Sequence, residues 1–263
     1  MPLMALTTTT TASATRLRLS KLRIAPATMT TTSPAARSII TTSVIARWGL
    51  IVLLAYRRVG QPSRRVVRLK SVTSTQDVAR PMPLGSIVVA DHQTAGRGRL
   101  DRRWEAPAGT GLLVSFVLRP NPVLSLAAGV AAAQACGSGV RLKWPNDLLL
   151  NGAKVGGILV EVLPATAICG IGINLTWAPP GGAKLNQDRD VLLDRLRVEL
   201  DRWASADVED VLSIWRALSD TLGRRVRVDQ GKHVIEGKAE DIGRGGELIV
   251  DGIPVAFGSV THL

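Results

Sequence analysis

Three short stretches hold residue types that could do chemistry. Gln93-Thr94-Ala95-Gly96-Arg97-Gly98-Arg99 places two arginines on glycine hinges. Lys143-Trp144-Pro145-Asn146-Asp147-Leu148 follows downstream, and Lys154 stands before the pair Gly156-Gly157. Arginine offers a forked, permanently charged donor that matches phosphate or carboxylate geometry. Glycine admits backbone conformations closed to other residues, so such a loop can be mobile when empty and ordered when occupied. Closure over a polyanion such as a nucleotide triphosphate is the chemistry that this combination suits. With a lysine and an Asn-Asp pair beside it, it points to an enzyme acting on phosphates rather than to a binding module.

Each stretch has a blander reading. Gly-Arg-Gly-Arg also occurs in disordered nucleic-acid-binding tails, but here it follows the buried strand expected over Ser86–Ala90, with Trp104 just beyond. Asn146 and Asp147 suit magnesium, which takes a few oxygen ligands together with substrate phosphates. An Asx-type turn would use the same two residues to satisfy local backbone groups. Ser74-Thr75-Gln76 and Gln93 put hydroxyl and amide groups at strand ends, where they could hydrogen-bond a neutral polar head group. Capping and turn formation is the other use of Ser74.

The elements that must position these residues are legible from Arg65 onward. Val66–Val72, Ser86–Ala90 and Leu112–Leu118 read as strands, and Asp77–Arg80 begins a short helix. Leu124–Ala135 reads as a buried helix ending at Gly137. Leu148–Leu150 and Ile158–Leu163 flank an Asn151-Gly152 turn, a strong hairpin signal, and Ala165–Leu175 is a further buried strand. Two helices follow. Val191–Trp203 should bury Val191, Leu192, Leu196, Leu200 and Trp203. The next, capped by Asp207, should bury Val211, Leu212, Trp215, Leu218 and Leu222 and stop at Gly223. Beyond it come short alternating strands, Arg225–Val228, His233–Asp241, Glu247–Val250 and Ile253–Ser259, the pattern of a small all-β barrel docked on a larger domain. Three segments result: a basic Thr/Arg-rich extension over 1–64, a catalytic domain over 65–222, and a barrel over 223–263.

The formal net charge of +12 invites a nucleic-acid reading. No acid precedes Asp77, and 12 of the 33 basic residues fall within residues 1–76, leaving 21 basic against 21 acidic residues in the rest. The excess is thus confined to the N-terminal segment, which reads as a disordered tail, a transit-type peptide or the product of an upstream start codon. Its apolar stretch Trp48–Tyr56 is too short for the ~20 residues that span a bilayer. No pair of amphipathic helices there supports a DNA-reading helix-turn-helix. Cys136 and Cys169 are expected as two buried thiols in a reducing cytoplasm, without a disulfide framework. His92, His233 and His262 have no ligand-like spacing.

In order and spacing, these motifs resemble the biotin–protein ligase family: Ser74-Thr75-Gln76, Gln93 through Arg99, Trp104, Lys143 through Asp147, Lys154 through Leu159, and Gly172-Ile173-Asn174. The resemblance runs over roughly Val66 to Leu263. It implies an α+β fold: a mixed-sheet, class II synthetase-like catalytic domain with an SH3-like C-terminal barrel. It implies ATP and biotin as substrates with Mg2+, and a biotin carboxyl carrier domain of a biotin-dependent carboxylase as partner. A homodimer, no specific DNA, no membrane and the monofunctional type without repressor activity complete the expectation. Lys154 is then expected at the biotin carboxylate and α-phosphate. Arg97 and Arg99 would hold phosphates and close the loop, with Gly98 beside them. Ser74, Thr75, Gln76 and Gln93 would serve the ureido head, Trp104 and Trp144 would wall the pocket, and Asn174 would contact the adenylate. Asn146 and Asp147 would bind magnesium or orient the incoming lysine. The chain departs from the family pattern at Gln76, where Asn is usual, at Leu100-Asp101, and at Ser259, where an acid is common. A lipoate or octanoyl ligase of the same fold is the nearest alternative, and a basic nucleic-acid-binding protein the alternative from another class.

Overall fold

A computed structural model describes residues 65–263, so the expectations for the basic extension and for Trp48–Tyr56 lie outside the described residues. The described residues begin with β1 (Val66–Val72), α1 (Thr75–Ala79), β2 (Ile87–Gln93), β3 (Gly111–Leu118) and α2 (Leu124–Cys136). It continues through β4 (Val140–Lys143), β5 (Asp147–Leu150), β6 (Ala153–Val162) and β7 (Ala167–Asn174) to α3 (Arg189–Trp203) and α4 (Val208–Leu218). β8 (Arg225–Asp229), β9 (Val234–Ile242), β10 (Leu248–Val250), β11 (Ile253–Val255) and β12 (Ser259–His262) complete it. This is a mixed α+β fold, as expected.

The first seven strands form one sheet in the order β1-β2-β3-β7-β6-β5-β4, with β1 parallel to β2 and the remaining pairs antiparallel. Strand alternation sends successive side chains to opposite faces. Leu112, Val114 and Phe116 of β3 and Cys169, Ile171 and Ile173 of β7 join the main core with α2, α3 and α4. Val117 and Ile168 face the other way and pack with Val88 and with Ala79 of α1. Nearly every residue of α2 is buried, because it lies between the sheet and the two later helices. The β5–β6 hairpin turns at Asn151 (φ 51°) and Gly152 (φ 78°), the two left-handed positions that its sequence announced.

The last five strands form an antiparallel sheet in the order β11-β10-β9-β8-β12. Its terminal strands do not pair with each other, so it is an open sheet where a closed barrel was expected. The stretch Ile253–Ser259 is two strands, not one. At Gly258 the backbone takes φ 141° and the chain crosses from β10 to the far side of β8. The apolar residues of this sheet merge with the main core.

Four smaller expectations change. β4 was not foreseen, although Val140 and Leu142 point inward and Arg141 outward in period 2. Val191 is exposed, and Leu193 takes its place on the buried face of α3. The cap of α3 is Asp188, which accepts from the N–H groups of Asp190 and Val191, whereas the side chain of Asp207 makes no capping bond to α4. Helix α4 ends at Leu218 rather than Gly223, because the next residues turn extended and run along β4, where the N–H of Asp220 donates to the Leu142 carbonyl at 2.7 Å. Cys136 and Cys169 are free and buried, and burial pushes both thiols up to about 12. Among the described residues no helix is long and apolar enough to cross a membrane.

Candidate active site

A cavity of about 380 Å³ opens on the sheet face that carries α1. Its floor exists because β7 presents Gly170 and Gly172 on that face, and β6 presents Gly157. A Cβ at Gly172 would stand 2.6 Å from Cε2 of Trp104, and one at Gly170 would stand 2.9 Å from the Gln76 amide nitrogen. The indole and the amide therefore lie directly on bare backbone.

At one end of the cavity sit Ser74, Thr75, Gln76 and Gln93. Ser74 is the N-cap of α1, its hydroxyl accepting from the N–H of Gln76 at 3.3 Å, so the bland role holds for this residue while it still lines the cavity. Gln93 Oε1 accepts from the Thr75 N–H at 2.7 Å and from the Thr75 hydroxyl at 3.0 Å, which locks α1 to the end of β2. Gln76 Nε2 donates to the Leu159 carbonyl at 2.8 Å and, at 3.5 Å, to that of Ile168. Those two carbonyls fix the orientation of the amide and leave the buried Gln76 Oε1 without a hydrogen-bond partner.

The glycine–arginine loop forms a narrow hairpin over the cavity. The Trp104 N–H donates to the Gly96 carbonyl at 3.0 Å, and the Gly98 N–H donates to the Arg102 carbonyl at 2.7 Å. The tip turns at Leu100 and Asp101, both left-handed at φ 55° and 57° without a glycine. Leu100 is 60% exposed there.

Its two arginines part company. Arg97 turns outward, forking onto Asp77 at 2.7 and 2.9 Å and reaching Glu161 at 3.4 Å, while Arg80 holds the other oxygen of Glu161. The fork holds the Asp77 carboxyl below the usual carboxylate value and raises Arg97. Arg99 turns inward, with Nη1 donating to Asn146 Oδ1 at 3.5 Å. Burial lowers the Arg99 guanidinium and the nearby Asp147 opposes that shift.

At the cationic end Lys154 Nζ lies 2.6 Å from Asp147 Oδ1 and 5.8 Å from the centre of the Trp104 ring. Asp147 begins β5 opposite Gly157, and the β5–β6 register shifts between Leu148 and Leu149, which brings lysine and carboxylate to one side. The backbone of Lys154 is fixed in turn by the Ala183 N–H, which donates to its carbonyl at 2.8 Å. Trp144 is buried behind the cavity, its indole N–H donating to the Gly246 carbonyl at 3.0 Å. The start of β12 forms one wall, where Arg102 donates to the Ser259 hydroxyl at 2.9 Å.

The comparisons with known proteins fit this geometry. Residues 66–175 match the model of the biotin/lipoate A/B protein ligase family. The biotin–[acetyl-CoA-carboxylase] ligase of Mycobacterium tuberculosis is 36% identical over 212 residues, covering 68% of this chain and 79% of the relative. The chain belongs to the biotin–protein ligase family. A ligase of the same name from Paracoccus denitrificans is 36% identical over 202 residues, 63% of this chain and 83% of its own. The biotin protein ligase of Aquifex aeolicus in complex with biotin and ATP superposes with a TM-score of 0.66 at 27% identity, over 76% of this chain and 99% of that one.

Of the residues that sequence reading assigned to a biotin ligase site, the cavity gathers all but one. Asn174 is buried away from it, donating through Nδ2 to the Ala183 carbonyl at 3.0 Å, so it braces the segment that holds the Lys154 backbone. Arg97 borders the cavity, with its guanidinium turned onto the carboxylates of Asp77 and Glu161. Sequence reading missed Asp77, Glu161 and the floor glycines Gly157 and Gly170. The glycines had a signal: in strands this buried, a missing side chain marks a close approach.

Proposed function

We propose that this chain is an ATP-dependent ligase that activates biotin as biotinyl-5′-AMP and transfers the biotinyl group to a lysine of a biotin carboxyl carrier protein. One observation carries the reading: a single cavity joins a hydroxyl-and-amide pocket at α1 to the cations Lys154 and Arg99 at its far end. The names of the relatives support the substrate and the carboxylase partner, and the Aquifex complex supports ATP and biotin together.

The chemistry follows from the side chains. Biotin's carboxylate is ionised at neutral pH and needs no general base to attack the α-phosphorus. That attack forms a carboxyl–phosphate anhydride and releases pyrophosphate. Its barrier is repulsion between anions, so the work falls to cations fixed in place beforehand. Lys154 reaches the carboxylate and the α-phosphate, and Arg99 the phosphates. Trp104 and the arginine hairpin cover the anhydride and keep water from it. In the second step the carrier's amine attacks the biotinyl carbonyl carbon, AMP leaves with the bonding pair, and the nitrogen loses a proton. Asp147, on the cavity wall beside Lys154, is placed to orient that amine.

Magnesium does not fit Asn146 and Asp147 as a resident ion. Asp147 already faces Lys154 and the Asn146 oxygen faces Arg99, while Asn146 Nδ2 donates to the Ile158 carbonyl at 2.8 Å. An ion arriving with ATP would be carried by the nucleotide's own phosphates. The homodimer belongs to the same reading, with β1 an edge strand of the large sheet among the described residues.

Pyrophosphate release from ATP, measured with biotin or lipoate, tests the proposal. Biotin-dependent release is expected, and release that follows lipoate alone would replace it with the lipoate reading.

A further inference from the structure

The hairpin over the cavity carries two arginines, and only Arg99 faces the site. Arg97 enters a ring of alternating charge on the outer side, in which ion pairs join Asp77 of α1 to Arg97 of the hairpin, Arg97 to Glu161 of β6 and Glu161 to Arg80 just after α1, and Arg80 attracts Asp77 at longer range. Two cations meet two carboxylates, so the ring is neutral. The Arg97–Asp77 contact is the forked, two-bond geometry in which a guanidinium and a carboxylate fit best. Asp77 also accepts from the Thr73 hydroxyl at 3.4 Å and sits in the first turn of α1. The ring thus ties the hairpin to the helix whose Thr75 and Gln76 line the cavity. Beyond Gly98 the hairpin continues to a left-handed tip built without glycine, a conformation that bulky side chains seldom adopt. Holding such a tip shut needs an anchor at the hairpin's base.

We propose that Asp77 and Glu161 are positioning residues that latch the arginine hairpin closed through Arg97, so that this ring, and not a phosphate contact of Arg97, sets how long the adenylate is retained. The inference rests on the ligase reading given above. The ring is partly solvated, with side-chain exposures of 38% for Arg97 and 41% for Asp77. Exposed ion pairs weaken as salt rises. The latch therefore makes adenylate retention depend on ionic strength, while Lys154 and Arg99 carry the chemistry.

The test uses the full chain loaded with biotin and ATP in the presence of pyrophosphatase and without carrier. It follows the dissociation of biotinyl-5′-AMP into an excess of unlabelled biotin and ATP. Wild type should release the adenylate faster as NaCl rises. Asp77→Asn should release it roughly five-fold faster at low salt, the factor matching the ~1 kcal/mol upper range of an exposed pair, and should respond to salt less steeply than wild type, since the contacts of Lys154 and Arg99 with the phosphate remain. Arg97→Gln should match it, the double variant should be no faster than either single one, and initial pyrophosphate release should be unchanged in all three. The latch is overturned if Asp77→Asn holds the adenylate as wild type does, or if Arg97→Gln abolishes pyrophosphate release while Asp77→Asn spares it. Even if a variant does not fold, a flat wild-type salt series also overturns it. Absence of any biotin-dependent pyrophosphate release in wild type would instead count against the ligase reading itself.

Discussion

Arg97 and Arg99 stand two residues apart on one hairpin and occupy opposite electrostatic settings. Around Arg97 the charges cancel: Arg97 and Arg80 against Asp77 and Glu161. Around Arg99 they do not, because Arg99 and Lys154 face Asp147 as the carboxylate between them. A neutral ring holds structure together and asks for nothing further. A cluster with surplus positive charge in a half-enclosed cavity is completed by an anion. The two settings separate fastening from catalysis within a few residues, and each can be broken independently.

The largest effect should come from the inner cluster. Lys154→Ala should lower biotin-dependent pyrophosphate release by about 10²–10³-fold, the range for removing one preorganised charge-stabilising group. An unchanged rate would move the catalytic cation elsewhere. The floor comes next. Gly172→Val drives a side chain into the Trp104 ring on a strand paired on both sides. Overpacking of that kind costs about 1–3 kcal/mol, so calorimetry should show biotin binding weakened by roughly tenfold or more. Wild-type affinity would mean that Trp104 is not the cover. For Arg99→Gly, the adenylate should form more slowly and then escape roughly tenfold faster, the factor for losing one charge-assisted hydrogen bond, so pyrophosphate release falls where Arg97→Gln leaves it unchanged. Release equal to wild type would erase the distinction between the two arginines.

How much of this was readable in advance divides along the same line. Motifs that carry their own local geometry were legible: the Asn151-Gly152 turn, the boundaries of β1, and the succession Lys143 to Asp147. Partnerships that depend on tertiary pairing were not. Nothing near Asp77 in sequence announces Arg97, and Glu161 lies 64 positions from that arginine. Helix α4 stops early because β4 captures the chain after it, a pairing that no window around Leu218 contains. Asn174 looked like a site residue because it follows the floor glycines in a motif and shares their face of β7, yet the Ala183 carbonyl holds its side-chain amide outside the cavity.

The smallest prediction concerns pH. The Asp77 carboxyl lies below its ordinary range, so the stability that the latch contributes is present above that range and is lost only as pH falls through the lowered value. Adenylate escape should therefore be flat across neutral pH. A slope there would point to His262, which contacts Thr221 and Asp220 and is lowered by burial and by Lys143 and Arg224. Its folded state favours the neutral ring, so stability should fall as pH drops below the ordinary histidine value. His262→Gln should remove that part of the pH dependence of the thermal midpoint, and an unaltered profile would clear the histidine.

The two native thiols offer a practical opening. Cys136 and Cys169 are the chain's complete cysteine complement, and both are buried with poorly ionised sulfurs. Maleimide chemistry needs an accessible thiolate, so the unmodified protein should be a nearly silent background. A single Leu100→Cys substitution at the exposed hairpin tip would then accept a fluorophore at one place, and the swing of the hairpin could be timed by its emission during turnover.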